Sequence, residues 1–150
     1  WEKKWVSSLM KYSDNNYDIL VCNGYTLEGE KKIPCRSCLS MARKSPFNCP
    51  IYIQSCLFHS KLIQNEEALF NTKFQIAYDT EFWLNKGCKL SYLHISDHLF
   101  CYRIHSNSLA QTNFVPLLRE RWGMMKLHKL SIILFGYGLF RQFLNIIRHK

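Results

Sequence analysis

Phe74-Gln-Ile-Ala-Tyr-Asp79-Thr-Glu81-Phe-Trp83-Leu-Asn85 is the stretch whose reading decides how this chain folds. Two carboxylates, Asp79 and Glu81, stand at the mouth of an amphipathic helix that the spacing places over Thr80–Lys86. Asp is a favoured helix cap, and an acid suits the positive end of the helix dipole, so Asp79 reads first as the N-cap. Downstream, an apolar run ends in Tyr102-Arg103-Ile-His105-Ser-Asn-Ser108, a strand passing into a loop rich in Arg, His and Ser. Such a carboxylate can also take a proton from a hydroxyl, and such cations can hold an anion.

The segments on either side follow an α/β order. Trp5, Leu9 and Tyr12 recur at three and four, predicting a helix over Trp5–Lys11. Asp18-Ile-Leu-Val-Cys-Asn23 is a short apolar run closed by Asn23-Gly24, a buried strand and its turn. Residues 25–33 extend it as a polar edge strand that turns at Glu28-Gly29-Glu30. Pro34 to Pro50, with Pro46 inside, is rich in Cys, Ser, Arg and Lys and reads as loop. Ile51–Phe58 is strand-like, and a helix follows over Ser60–Leu69. Leu90–His94 and His98–Ile104 read as two strands separated by a turn at Ile95-Ser-Asp97. With 150 residues the chain has the size of one domain or part of one, and 47% hydrophobic content argues for a packed core over disorder.

The Asp79 helix, followed by a strand ending in Tyr-Arg-x-His and a loop bearing Ser, resembles the acceptor-side half of the family-two inverting glycosyltransferases, which have the GT-A fold. In that family the aspartate opening the helix is commonly the general base. The resemblance implies Asp79 as that base, with Glu81 as its partner. It implies Trp83, Arg103, His105 and Ser108 as contacts for the acceptor or for the donor's diphosphate. Pro50-Ile-Tyr-Ile53-Gln54-Ser55 is similar to the family's Pro-x-x-His-Gln-Ser stretch, with Ile53 at the His position, and adds Gln54 and Ser55 as substrate-binding candidates. A strand alternates its faces, so only one of those two is expected to point inward.

The family's other half is not visible. It holds a divalent cation, Mg or Mn, against the diphosphate through Asp-x-Asp, and no aspartate of this chain has another two residues away. Trp1-Glu-Lys-Lys-Trp5-Val-Ser-Ser-Leu-Met10 resembles the helix that follows that motif. The expectation is a partial GT-A domain over residues 1–114, with mixed sheet and flanking helices and no metal site of its own. It would act on a nucleotide-sugar donor and a glycan or lipid-linked acceptor, in bacterial surface polysaccharide synthesis, and be inactive alone. A non-catalytic truncated remnant is the alternative.

The seven cysteines are an odd number with no leader-like segment, which suits a reduced cytoplasmic protein with packed thiols. Cys35-Arg-Ser-Cys38 could be half of a zinc site completed by Cys49 and His59, but the strong signal is two close Cys pairs and the second is missing.

Residues 115–150 form a basic, apolar helical tail, with seven Lys or Arg against one acid, Glu120, in a chain of net charge +9. Its uncharged run Leu130–Phe140 is eleven residues long, about 16 Å as a helix, too short for roughly 30 Å of hydrocarbon. Cations at its ends suit an interfacial helix on anionic lipid, peripheral on the inner face of the cell membrane. A helix closing a core with solvated basic ends fits the same pattern. Gly136 and Gly138 predict a kink or a close packing contact. A nucleic-acid-binding module would also use a basic tail with Trp122, Phe135 and Tyr137 interleaved. No binding motif accompanies it and its charges sit beside apolar residues, so no nucleic acid is expected.

Overall fold

The computed structural model describes residues 5–12, 16–37, 47, 51–64, 69–105 and 112–148, without the side chains of Leu9, Cys88, Gln142, Phe143 and residues 145–148. It is mixed α/β. In chain order the elements are α1 (Trp5–Met10), β1 (Ile19–Glu28), β2 (Lys31–Cys35), a 3-10 turn (Ile53–Ser55), β3 (Cys56–Phe58), α2 (Lys61–Gln64), α3 (Tyr78–Asn85), a second 3-10 turn (Gly87–Lys89), β4 (Tyr92–Ile104), α4 (Phe114–Leu127) and α5 (Ile132–Arg148).

The four-stranded sheet is built around β1. One edge of β1 pairs in parallel with β4 along its whole length. The other edge is shared: β3 pairs antiparallel with Ile19–Val21, and β2 pairs antiparallel with Gly24–Glu28. β1 has a packed layer on each face, and its side chains alternate between them. Ile19 and Val21 enter a cluster with Ile51, Cys56, Phe82 and Trp83, which is the face α3 covers. Leu20 and Cys22 enter the opposite cluster with Ile95, Leu99 and Phe100, against which Trp5 of α1 packs. Burial pushes the Cys22 thiol up to about 11 and the Cys56 thiol to about 12, so both behave as packing groups.

Three expectations change. The first strand does not stop at Asn23-Gly24 but continues to Glu28, and the hairpin turn is Gly29-Glu30 alone. Gly29 takes φ 59 at the position where a two-residue hairpin of type II′ requires glycine. Gly24 serves close approach instead: a Cβ there would lie 2.3 Å from the Phe100 ring and 2.6 Å from the Phe100 carbonyl oxygen. The two strands expected around Ile95–Asp97 are one strand, β4, whose register against β1 slips on either side of Asn23. Buried Asn23 holds that irregularity. Its Nδ2 donates to the Ser96 carbonyl at 2.9 Å, and its Oδ1 accepts from Ser37 N–H at 3.1 Å and from His94 Nε2 at 2.9 Å. Finally, the strand-like stretch 51–58 is a 3-10 turn plus the three residues of β3, and the following helix is described only over Lys61–Gln64.

Asp18 ties the ends of these elements together. Its Oδ2 accepts from the Ser91 N–H and hydroxyl, both at 2.8 Å, and its Oδ1 lies 2.9 Å from Lys61 Nζ. Those bonds join the start of β1 to the start of β4 and to α2.

A candidate acceptor-side site at the mouth of helix α3

The expected cap is shifted by two residues. The N-cap of α3 is Ala77, whose side chain makes no capping bond, and Asp79 lies inside the first turn. Ala77 cannot supply an acceptor, so the backbone donors ahead of the helix need another partner. Glu120 of α4 provides it. One carboxylate oxygen accepts from Gln75 N–H at 2.8 Å, the other from Ala77 N–H at 2.9 Å, and the Ile76 N–H reaches both at 3.3 and 3.0 Å. Three consecutive amides converging on one anion make a cradle that fixes the turn delivering Asp79.

Apolar packing brings α4 to this place. Leu117 and Met124 share a cluster with Ala77, against which Phe74, Ile76 and Leu84 also pack. The first helix of the basic stretch is therefore packed against the turn and helix that carry Asp79.

Asp79 is half-buried. Its Oδ1 accepts from the Thr80 N–H at 2.7 Å and the Thr80 hydroxyl at 3.3 Å. Burial raises its carboxyl above the ordinary value of 3.8, against the lowering effects of the Thr80 bonds and the nearby Arg121 charge. Arg121 is the reciprocal case: burial lowers its affinity for the proton, while the Asp79 charge supports it. The Arg121 guanidinium lies 4.8 Å above the Phe47 ring.

Glu81 has a different environment. It is only 1% exposed, and its Oε1 accepts from Asn85 Nδ2 at 3.3 Å and stands 3.4 Å from His128 Nε2. His128 reaches that position because α4 ends there in a Schellman motif. Leu130 N–H donates back to Met125 O at 2.9 Å, Lys129 N–H donates to Lys126 O at 3.3 Å, and Lys129 takes φ 51.

The other sequence candidates scatter. Ser55 is fully buried and its hydroxyl donates to the Tyr52 carbonyl at 2.6 Å, while the neighbouring Gln54 is exposed, so the inward member of the pair is a core residue. Trp83 is 1% exposed inside the sheet-facing cluster, a packing residue by position. Arg103 and His105 are exposed at and just beyond the C-terminal end of β4, and among the described contacts neither meets Asp79. Ser108 lies outside the described residues, as do Cys38 and Cys49 of the weighed zinc set. Among the described residues no group of three or more His, Cys, Asp or Glu could hold a metal. Glu120, Arg121 and His128 were not among the sequence candidates; the only hint was a lone acid between two arginines in a stretch otherwise read for its positive charge.

No family model matches the chain, and no curated protein or solved structure matches it.

Proposed function

We propose that this chain is the acceptor-side part of a GT-A type, inverting glycosyltransferase, with Asp79 as the base that deprotonates the acceptor hydroxyl. The observation that carries the reading is the contrast between the two carboxylates of α3. Glu81 is enclosed and engaged by Asn85 and His128. Asp79 keeps partial exposure, the Thr80 N–H and hydroxyl both donate to Oδ1, and burial raises its carboxyl above the ordinary value of 3.8, which makes it a better proton acceptor than an unperturbed aspartate. Oδ2 is then the oxygen that takes the acceptor proton as the acceptor oxygen bonds to the anomeric carbon and the nucleoside diphosphate leaves.

Each neighbour has a definable part. Glu120 holds the turn, Arg121 supports the Asp79 charge, and Glu81 packs against His128 at the end of α4. Arg103 and His105, exposed at the end of β4, make no described contact with Asp79, so this reading assigns them no step. The divalent metal would supply the main charge compensation for the departing diphosphate, but the described residues offer no ligand set for it, so no step is assigned to it. The reading requires a donor-binding Asp-x-Asp outside these 150 residues.

The test is a transfer assay with a panel of nucleotide sugars, using the chain joined in frame to a donor-binding half that carries Asp-x-Asp. The proposal expects a product of inverted anomeric configuration, while residues 1–150 alone show no metal-dependent nucleotide binding by calorimetry. Retained configuration, no transfer across the panel, or stoichiometric metal-dependent nucleotide binding by residues 1–150 would overturn it.

A further inference from the structure

Helix α5 has its apolar residues on the wrong side for a helix that only closes a core. The side held against the molecule is narrow. Phe135 meets Phe47 and Trp122 edge-on at 4.8 and 5.1 Å, and Gly138 is packed so closely that a Cβ would lie 2.5 Å from the Phe47 ring. On the other side Ile133, Tyr137, Phe140 and Leu144 recur at three and four and form one stripe. Ile133 is 78% exposed, Tyr137 63% and Phe140 60%. Arg141 is exposed on the same helix, and Lys126 and Lys129 are exposed where α4 passes into α5. No described helix is long and apolar enough to cross a membrane.

We propose that the Ile133–Tyr137–Phe140–Leu144 stripe is a membrane-docking face that lies in the interface of a bilayer bearing anionic headgroups. An apolar stripe bordered by a cation matches an acyl boundary beneath negative headgroups, with the rings and aliphatic chains below and Arg141, four residues after Tyr137 and three before Leu144, at headgroup level; the exposed Lys129 at the entry to α5 adds to the local positive charge. A second copy of this chain fits less well, because pairing the stripes would bring the same cations together. The inference rests on α5 and its surroundings and is independent of the transfer reading.

Vesicle flotation of residues 1–150 tests it, with phosphatidylcholine alone and phosphatidylcholine mixed with phosphatidylglycerol. The protein should float with the anionic vesicles at low salt, bind the neutral ones roughly tenfold less or weaker, and detach at about 1 M salt, where the screening length is about 3 Å. Ile133→Ser combined with Phe140→Ser should abolish flotation while circular dichroism and the melting temperature stay near wild type, since both side chains are mostly exposed. Lys129→Gln and Arg141→Gln together should weaken binding by roughly tenfold or more without touching the stripe. The proposal is overturned if the wild type stays unbound at low salt or if the stripe variant floats as well as wild type. It is equally overturned if sedimentation shows a dimer that the stripe substitutions dissociate and vesicles do not bind.

Discussion

Val21 and Ile133 are both β-branched aliphatic residues in apolar runs, yet Val21 is fully enclosed and Ile133 is 78% exposed. The run containing Val21 is bonded on both strand edges and covered on both faces, so every side chain along it finds a partner. The run containing Ile133 is anchored through Phe135 and Gly138 and turns the rest of its apolar surface outward. Apolar sequence therefore specifies that a surface will seek a non-aqueous neighbour, and topology decides whether that neighbour is the protein itself.

The widest separation between the two regions should appear in unfolding experiments. Trp83→Ala, deep against β1, should lose about 3–5 kcal/mol, whereas Ile133→Ser should stay within about 0.5 kcal/mol of wild type in the absence of lipid. Comparable losses in denaturant titrations would mean that α5 is covered in solution and would break the comparison. A smaller effect sharpens the junction between the regions. Glu120→Ala strands three backbone donors ahead of α3 and should cost about 2 kcal/mol, with faster amide exchange at Gln75, Ile76 and Ala77. Unchanged exchange at those amides would show that Glu120 does not hold the turn.

The smallest effect belongs to the sheet's polar fastening and depends on pH. Lys61, with the Ser91 bonds, lowers the Asp18 carboxyl from 3.8 to about 2. A carboxyl lowered by folding contributes stability that is fully present above its unfolded value and is lost as pH falls through its folded value. Asp18→Asn should therefore be modestly less stable than wild type above about pH 4, with the gap closing as the pH falls toward 2. A gap that persists unchanged at pH 2 would place the loss in hydrogen-bond geometry rather than charge.

Local chemistry made the hairpin legible, since Gly29 meets a backbone requirement that lies within four residues. The same chemistry misled at Asn23-Gly24 and at Ile95–Asp97. A turn dipeptide and a bulged strand draw on the same residue types, and what separates them is a partner far away in sequence: Phe100 pressing on Gly24, and Asn23 bonding Ser96. The candidate site divides along the same line. Asp79 and Glu81 were legible from a contiguous motif. Glu120, Arg121 and His128 come to that motif only because Leu117 and Met124 pack α4 against Ala77, and their positive surroundings in sequence pointed to a tail. The Asp79 N-cap was misplaced because the capping acceptor comes from another helix.

The assignment of Asp79 is tested most directly by the transfer rate of Asp79→Asn in the chain joined to its donor-binding half, because the variant keeps the shape and removes the base. Its stability serves as the control. Folding raises the Asp79 carboxyl above 3.8, so its contribution to stability is greatest below that pH and declines as pH rises through the folded value. Asn keeps an oxygen for the Thr80 donors and removes a charge that burial disfavours, but it also removes the charge that supports Arg121; the two effects oppose each other and the variant should remain folded at pH 7. Against that unchanged fold, transfer is expected to fall by roughly 100-fold or more, with little change in the KM for the donor. A well-folded Asp79→Asn variant that turns over at close to the wild-type rate would contradict the account.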